Sequence, residues 1–222
     1  LICFIAENPV RNDRLPANIA DVAQLLIDMA RAQHVPTLQE DLDYTLGLVA
    51  SGRVPRESGV QEVLISVLTR AGADPNLVMR TSAAHREVAA CHALLAAGAE
   101  LSLNLAAAIG STEDVERLAS GAGAFAIQEA LAIAATNGRA ELIDPLINAG
   151  ANPNQFNPEG THAHSTPLHQ AVDAGSLETV KILIARGADP AIRDKVFSGN
   201  AMGWAIHTDK PDIADYLNSL DS

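Results

Sequence analysis

The fold class that this sequence predicts is an all-α solenoid of about seven stacked helix-turn-helix units. Three observations lead there. One segment, Thr166–Pro190, reads T-P-L-H-x-A-x-x-x-G and then L-E-x-V-K-x-L-I-x-x-G-A-D-P. Its exit recurs as Gly72-Ala73-Asp74-Pro75, Gly98-Ala99 and Gly150-Ala151-Asn152-Pro153, each at the end of an apolar stripe. The composition is 48% hydrophobic but only 3% aromatic, and much of it is alanine, which favours helices that pack closely.

The 166 segment shows why these residues make a helix pair. Thr166 offers a side-chain oxygen to the first turn, and Pro167 suits the first helical position because it has no N–H to leave unpaired. Leu168, Ala171 and Val172 share one face at spacings of three and four. Gly175 fits a left-handed cap that a Cβ would strain. Ser176 opens the second helix with Glu178 near its positive end. Val180, Leu183 and Ile184 form its buried stripe, Gly187 ends it, and Asp189-Pro190 starts a turn. One such unit cannot cover its own apolar face, so the stack itself is the core.

The other units follow in order. They fall at 1–32, 42–72, 77–98, 101–122, 127–154, 166–190 and 200–222, and together read as one domain over 1–222. Inner helices are expected near 1–8, 42–51, 77–85, 101–109, 127–136, 167–174 and 201–208. Outer helices are expected near 18–31, 59–71, 86–97, 112–120, 139–149, 176–186 and 211–219. Four stretches depart from the regular unit: Pro9–Pro16, Gly52–Ser58, Gln155–Ser165 and Arg193–Asn200. The first two stand at equivalent places in adjacent units and are expected side by side. The third and fourth are lengthened finger loops.

The T-P-L-H-x-A motif and the repeated glycine-alanine exits make the chain similar to the ankyrin-repeat family, over nearly its whole length. The insertions, the His-bearing finger and the ending Arg193-Asp194-Lys195-Val196-Phe197 with Gly203-Trp204-Ala205 resemble a group of bacterial ankyrin-repeat proteins without an assigned activity. The resemblance implies a surface that binds proteins through finger tips and the residues ending each inner helix. Transferred to this sequence, the partner-binding residues are Asn154, Phe156, His162, His164, Asp173, Arg193, Lys195, Phe197 and His207. Ala84, His85, Thr136, Asn137, Ala174 and Thr208 hold the same helix-end position. It also implies that His169 is a structural bridge to Thr166 and to the next unit's backbone.

Several function classes are excluded or set aside. With 27 acidic and 15 basic residues the formal charge is −12, which does not suit nucleic-acid phosphates and favours encounter with basic partners over acidic ones. No stretch of about 18 apolar residues lacks charge, so no membrane span is expected. The start, Leu1-Ile2-Cys3-Phe4-Ile5-Ala6, makes a poor signal peptide. It also makes an apolar first helix, expected to be covered by further residues before Leu1 or by another chain.

Cys3 and Cys91 cannot form a disulfide framework and read as small buried hydrophobes. His92 points away round the helix from Cys91, so that thiol lacks a base. No phosphate-binding loop, G-x-S-x-G, H-E-x-x-H or C-x-x-C occurs, and no catalytic residue, metal site or cofactor is expected. The acidic groups Glu40-Asp41-Asp43 and Glu113-Asp114-Glu116 read as solvated faces, the second favoured at a helix start. Trp204 reads as packing under the last finger, or else as a binding hot spot.

Function is thus expected to be non-catalytic: a cytoplasmic, monomeric scaffold, inhibitor or immunity-type partner of an unknown protein. The alternative is a metal- or small-molecule-binding protein using His162 and His164 in the loop 155–165.

Overall fold

The computed structural model describes residues 14–220. The helix expected at 1–8 with its expected covering, Cys3 and most of the Pro9–Pro16 insertion lie outside them. Every regular element among the described residues is helical. The chain forms two compact units, Leu1–Leu101 and Ser102–Ser222.

The first unit contains α1 (Ile19–Ala32), α2 (Leu38–Ser51), α3 (Arg53–Glu57), α4 (Gln61–Arg70), a 3-10 turn (Pro75–Val78), α5 (Met79–Ala84) and α6 (Val88–Ala96). The outer helices α1, α4 and α6 pack in sequence, and α2 packs on α4 and α5. Their shared core is aliphatic: Ile27, Leu42, Leu46, Leu64, Ile65, Leu68 and Leu94 are fully buried. Cys91 is fully buried among them. Burial first, and then the Glu87 carboxylate, push its thiol up to about 12, so it stays a neutral packing group.

Two local differences from expectation have clear causes. α2 starts four residues earlier than the pattern predicts because Glu40 and Asp41 fall in its first turn, where the helix dipole favours acids. The Gly52–Ser58 insertion is not an open loop but carries α3. Arg56 on α3 pairs with Glu87, a carboxylate only 3% exposed. Gln61 Nε2 donates to the same carboxylate at 3.3 Å and to the Val49 carbonyl at 3.1 Å. The two insertions do meet where described, since the Leu15 N–H donates to Ser58 Oγ at 2.8 Å.

The second unit contains α7 (Leu103–Ile109), α8 (Thr112–Ala119), α9 (Ala124–Thr136), α10 (Ala140–Asn148), α11 (Pro167–Ala174), α12 (Leu177–Ala185), α13 (Ala201–His207) and α14 (Pro211–Ser219). The inner helices pack in the order α7, α9, α11, α13, and the outer helices in the order α8, α10, α12, α14. Alanines set the spacing of the inner row: Ala106, Ala107, Ala108, Ala130, Ala132, Ala134, Ala135, Ala171, Ala201 and Ala205 are all fully buried. α9 is buried from Ile127 through Thr136, as a helix with neighbours all round must be.

The termini follow the sequence logic. Thr166 and His169 form a reciprocal capping box at α11, with Pro167 at the first position. Gly175 holds φ +72° at its end. Ser176 accepts from the Thr179 N–H to open α12.

Candidate functional site

The loops are built by side chains that bracket the next loop. Gln128 receives the Asn152 N–H at 2.8 Å and donates to the Asn152 carbonyl at 3.0 Å. Asn154 repeats the device one unit on, receiving the Asp189 N–H at 2.7 Å and donating to the Gly187 carbonyl at 2.8 Å. Each bracket satisfies two backbone groups that a turn would otherwise leave to solvent.

On this base stand the two lengthened fingers, 155–165 and 189–200. The first is closed on itself. The Asn157 N–H donates to the Ser165 carbonyl at 2.9 Å, Thr161 Oγ1 to the Pro158 carbonyl at 2.7 Å, and the Ser165 N–H to the His162 carbonyl at 3.0 Å. His162 turns the chain with φ +62°.

The second finger is wrapped round Asp194, which is 3% exposed. Its Oδ1 accepts the N–H groups of Val196 and Phe197 at 2.8 and 2.7 Å. Its Oδ2 accepts the Gly199 N–H at 2.8 Å and the Trp204 indole N–H at 3.0 Å. Burial alone would raise this carboxyl, but these four donors outweigh it. They hold the group well below the usual carboxylate range, because hydrogen bonds to the charged form favour it.

The fingers are tied together. The Lys195 N–H donates to the His164 carbonyl at 2.8 Å, and Lys195 Nζ to the Ala163 carbonyl at 3.3 Å. The same ammonium lies 4.1 Å over the Phe156 ring, a cation–π contact. The His164 ring stacks on Trp204 with centroids 6.0 Å apart, and His169 meets Trp204 edge-on at 5.1 Å.

His169 performs the bridging role expected of it. Its Nδ1 lies 2.8 Å from Thr166 Oγ1, and its Nε2 donates to the Gly199 carbonyl at 3.1 Å. A carbonyl only accepts, so Nε2 carries the proton and Nδ1 is left to accept from the Thr166 N–H at 3.3 Å. Burial, the dominant cause, lowers the His169 pKa. The N–H facing Nδ1 opposes a second ring proton as well.

The structure therefore gathers Phe156, His162, His164, Lys195, Arg193 and Phe197 into one pair of fingers. Arg193 and Lys195 are exposed, and Val196 and Phe197 are 61% and 78% exposed. Asn154 is engaged in the loop bracket. Asp173 and His207 stand at equivalent positions near the ends of α11 and α13, half-buried and exposed respectively. Two helix-end positions depart from the analogy: Ala84 and Thr136 are each 2% exposed, and pack rather than present a contact.

Trp204 is half-buried and serves as packing between the fingers and α11. Asp194 as the organiser of the last finger was not foreseen from sequence. The signal for it was an Asp in a loop with a glycine five residues on, since Asp side chains close turns onto the backbone ahead of them. The His162 and His164 rings are edge-on, 6.2 Å apart. No three His, Cys, Asp or Glu side chains cluster for a metal among the described residues. No helix among them is long and apolar enough to cross a membrane.

The family match among known proteins falls in the second unit. The family described as ankyrin repeats in three copies matches residues 103–194. Notch-regulated ankyrin repeat-containing protein B of Danio rerio is 40% identical over 81 residues, which are 36% of this chain and 64% of that protein. Its human counterpart is 38% identical over 81 residues, 36% of this chain and 62% of that protein. An ankyrin repeat-containing protein of Schizosaccharomyces pombe is 36% identical over 63 residues, 28% of each chain. The chain thus spans less than two thirds of the curated relatives it matches. These relatives are eukaryotic, and the bacterial grouping rests only on the resemblance of the insertions, the His-bearing finger and the ending.

Proposed function

From a chain that carries ankyrin repeats, with residues 103–194 matched to them, we infer a non-catalytic protein-binding module that works through its finger loops and the adjoining helix ends. Ankyrin repeats in general mediate protein–protein contact and are in general not catalytic. The finer reading is a cytoplasmic scaffold, inhibitor or immunity-type partner, and the binding surface proposed for it follows from how the second unit is built.

The observation that carries it is the cost put into the last finger. A buried carboxylate, an indole, a histidine and the neighbouring finger all serve to hold a loop whose outermost side chain, Phe197, is left 78% exposed. A large apolar side chain on a rigid support is a feature of interface anchors, because little conformational freedom remains to be lost on binding. Phe156, His162, His164, Arg193 and Lys195 lie on the same pair of fingers. Asn154, Asp173 and His207 complete the proposed surface from its base and from the ends of α11 and α13. The mixed polarity suits a partner that also exists free. The alternative metal- or small-molecule-binding reading of the loop 155–165 has no observation in its favour.

The test is affinity capture with the tagged chain and a Phe156→Ala/Phe197→Ala variant, followed by titration of the purified captured protein. A stoichiometric partner held by the wild type, with affinity reduced about a hundredfold in the variant, is expected. Equal binding by both would remove the fingers from the interface.

A further inference from the structure

We propose that the paired fingers take an acidic segment of the partner, with Arg193 and Lys195 engaging its carboxylates and Phe197 entering its apolar side. This rests on the protein-binding reading above and names the chemistry of what is bound.

The whole chain carries a formal charge of −12, which by itself argues for a basic partner. Contact is decided locally, however. At physiological salt the Debye length is about 8 Å, so exposed charges farther away are largely screened. In the last finger two acids, Asp189 and Asp194, cancel two bases, Arg193 and Lys195, in net charge, but at its tip the charges that face outward are the cations. The one carboxylate between the two cations, Asp194, is turned inward and occupied by four N–H donors. Arg193 and Lys195 are left as the outward charges on either side of it. The acid opening that finger, Asp189, closes its own turn by accepting the Ala191 N–H at 2.8 Å. Glu159 of the other finger is itself engaged.

Elsewhere in this unit Arg117 pairs with Asp114 and Arg186 with Asp144. Among the described residues, Arg193 and Lys195 make no ion pair. Both side chains are nonetheless oriented. One guanidinium nitrogen of Arg193 donates to the Ser198 carbonyl at 2.7 Å. Lys195 is held by the Ala163 carbonyl and the Phe156 ring. Arg193 keeps most of its five N–H donors for a carboxylate, and Lys195 keeps two of its three. Two pre-oriented cations beside two exposed apolar side chains, Val196 and Phe197, complement a segment that mixes Asp or Glu with a large apolar residue.

A random peptide library displayed on phage, selected against the full chain, tests this. Enriched peptides are expected to combine acids with an aromatic or aliphatic residue. Synthetic versions should bind about tenfold more weakly to Lys195→Glu and to Arg193→Glu, and more weakly as NaCl rises. Far-UV circular dichroism and Trp204 fluorescence check that the variants keep the fold, and Lys195→Gln should give a smaller loss. Enrichment of neutral or basic peptides whose binding depends on Phe197 would overturn the acidic assignment and leave the fingers as the interface. Acidic peptides bound equally by the charge-reversed variants would also overturn it. Absence of any enrichment sensitive to the finger residues would overturn both readings.

Discussion

Asp194 concentrates in one side chain what holds the candidate site. Asparagine in its place would turn an amide N–H₂ toward backbone and indole donors, so Asp194→Asn is expected to destabilise the last repeat by about 2–3 kcal/mol. Urea unfolding followed by Trp204, the sole tryptophan of the chain, reads this directly; an unchanged midpoint would show that the four donors find other acceptors. Acid has a related effect. The Asp194 pKa is lowered on folding, so its contribution is present above the unfolded value near ~4 and is lost as pH falls below it. The His169 pKa is lowered as well, so its neutral ring favours the fold above the unfolded value near ~6.5, and this is lost as pH falls through the range below that. The same fluorescence transition should therefore weaken in two acid stages, and His169→Gln should remove the first while sparing the second. Gly199 belongs to the same cluster: an added Cβ would lie 3.0 Å from Trp204 Cδ1 and 3.2 Å from Asp194 Oδ2. Gly199→Ala should cost about 1–3 kcal/mol by displacing the indole.

Helices carry the next level, and α10 shows that tertiary packing outweighs propensity there. Pro145 sits inside it, removing one backbone donor and crowding the preceding turn. The helix persists because Leu142, Ile143 and Leu146 are fully buried. Pro145→Ala should raise stability by about 1–3 kcal/mol, and a midpoint that drops instead would mean that the ring packs better than the lost bond costs. In the first unit, Arg56→Ala should destabilise by about 1–3 kcal/mol, since it leaves the buried Glu87 with a weaker partner. Nearly all of the helices were legible in advance, because most are short apolar stripes and many end at a glycine with positive φ, such as Gly72, Gly98, Gly150 and Gly187. Thr166, Pro167, Gly175 and Ser176 announce their helix ends locally. α3 was not legible: five residues are too few for a periodic stripe, and its anchor, Glu87, lies far along the chain. The fingers were legible as insertions and as carriers of Phe156, His164 and Lys195. That Lys195 closes onto Phe156 and the His164 carbonyl was not, because such contacts depend on how successive repeats stack.

At the scale of the whole molecule the dominant feature is an imbalance of charge, 27 acidic residues against 15 basic. While Arg56 with Glu87 and Arg186 with Asp144 reach between repeats, most of the ion pairs among the described residues join near neighbours with well exposed side chains, such as Arg53 with Glu57 and Arg117 with Asp114. Pairs of that kind contribute at most about 1 kcal/mol each. They cannot offset a surplus of twelve negative charges spread along a repeating chain, where each repeat packs only on its neighbours and like charges recur from one to the next. Self-repulsion of this kind destabilises the compact state and is weakened by salt. The Debye length falls from about 30 Å at 0.01 M to about 8 Å at 0.15 M ionic strength, so repulsion between repeats is screened while the aliphatic core is untouched. Raising NaCl over that range at pH 7 should therefore increase the melting temperature by about 2–4 °C, equivalent to about 1 kcal/mol for a chain of this size. Differential scanning calorimetry in NaCl, repeated in a non-ionic osmolyte of matched osmolality, separates screening from a general solvent effect. A melting temperature that falls with salt would mean that the surface ion pairs outweigh the surplus charge.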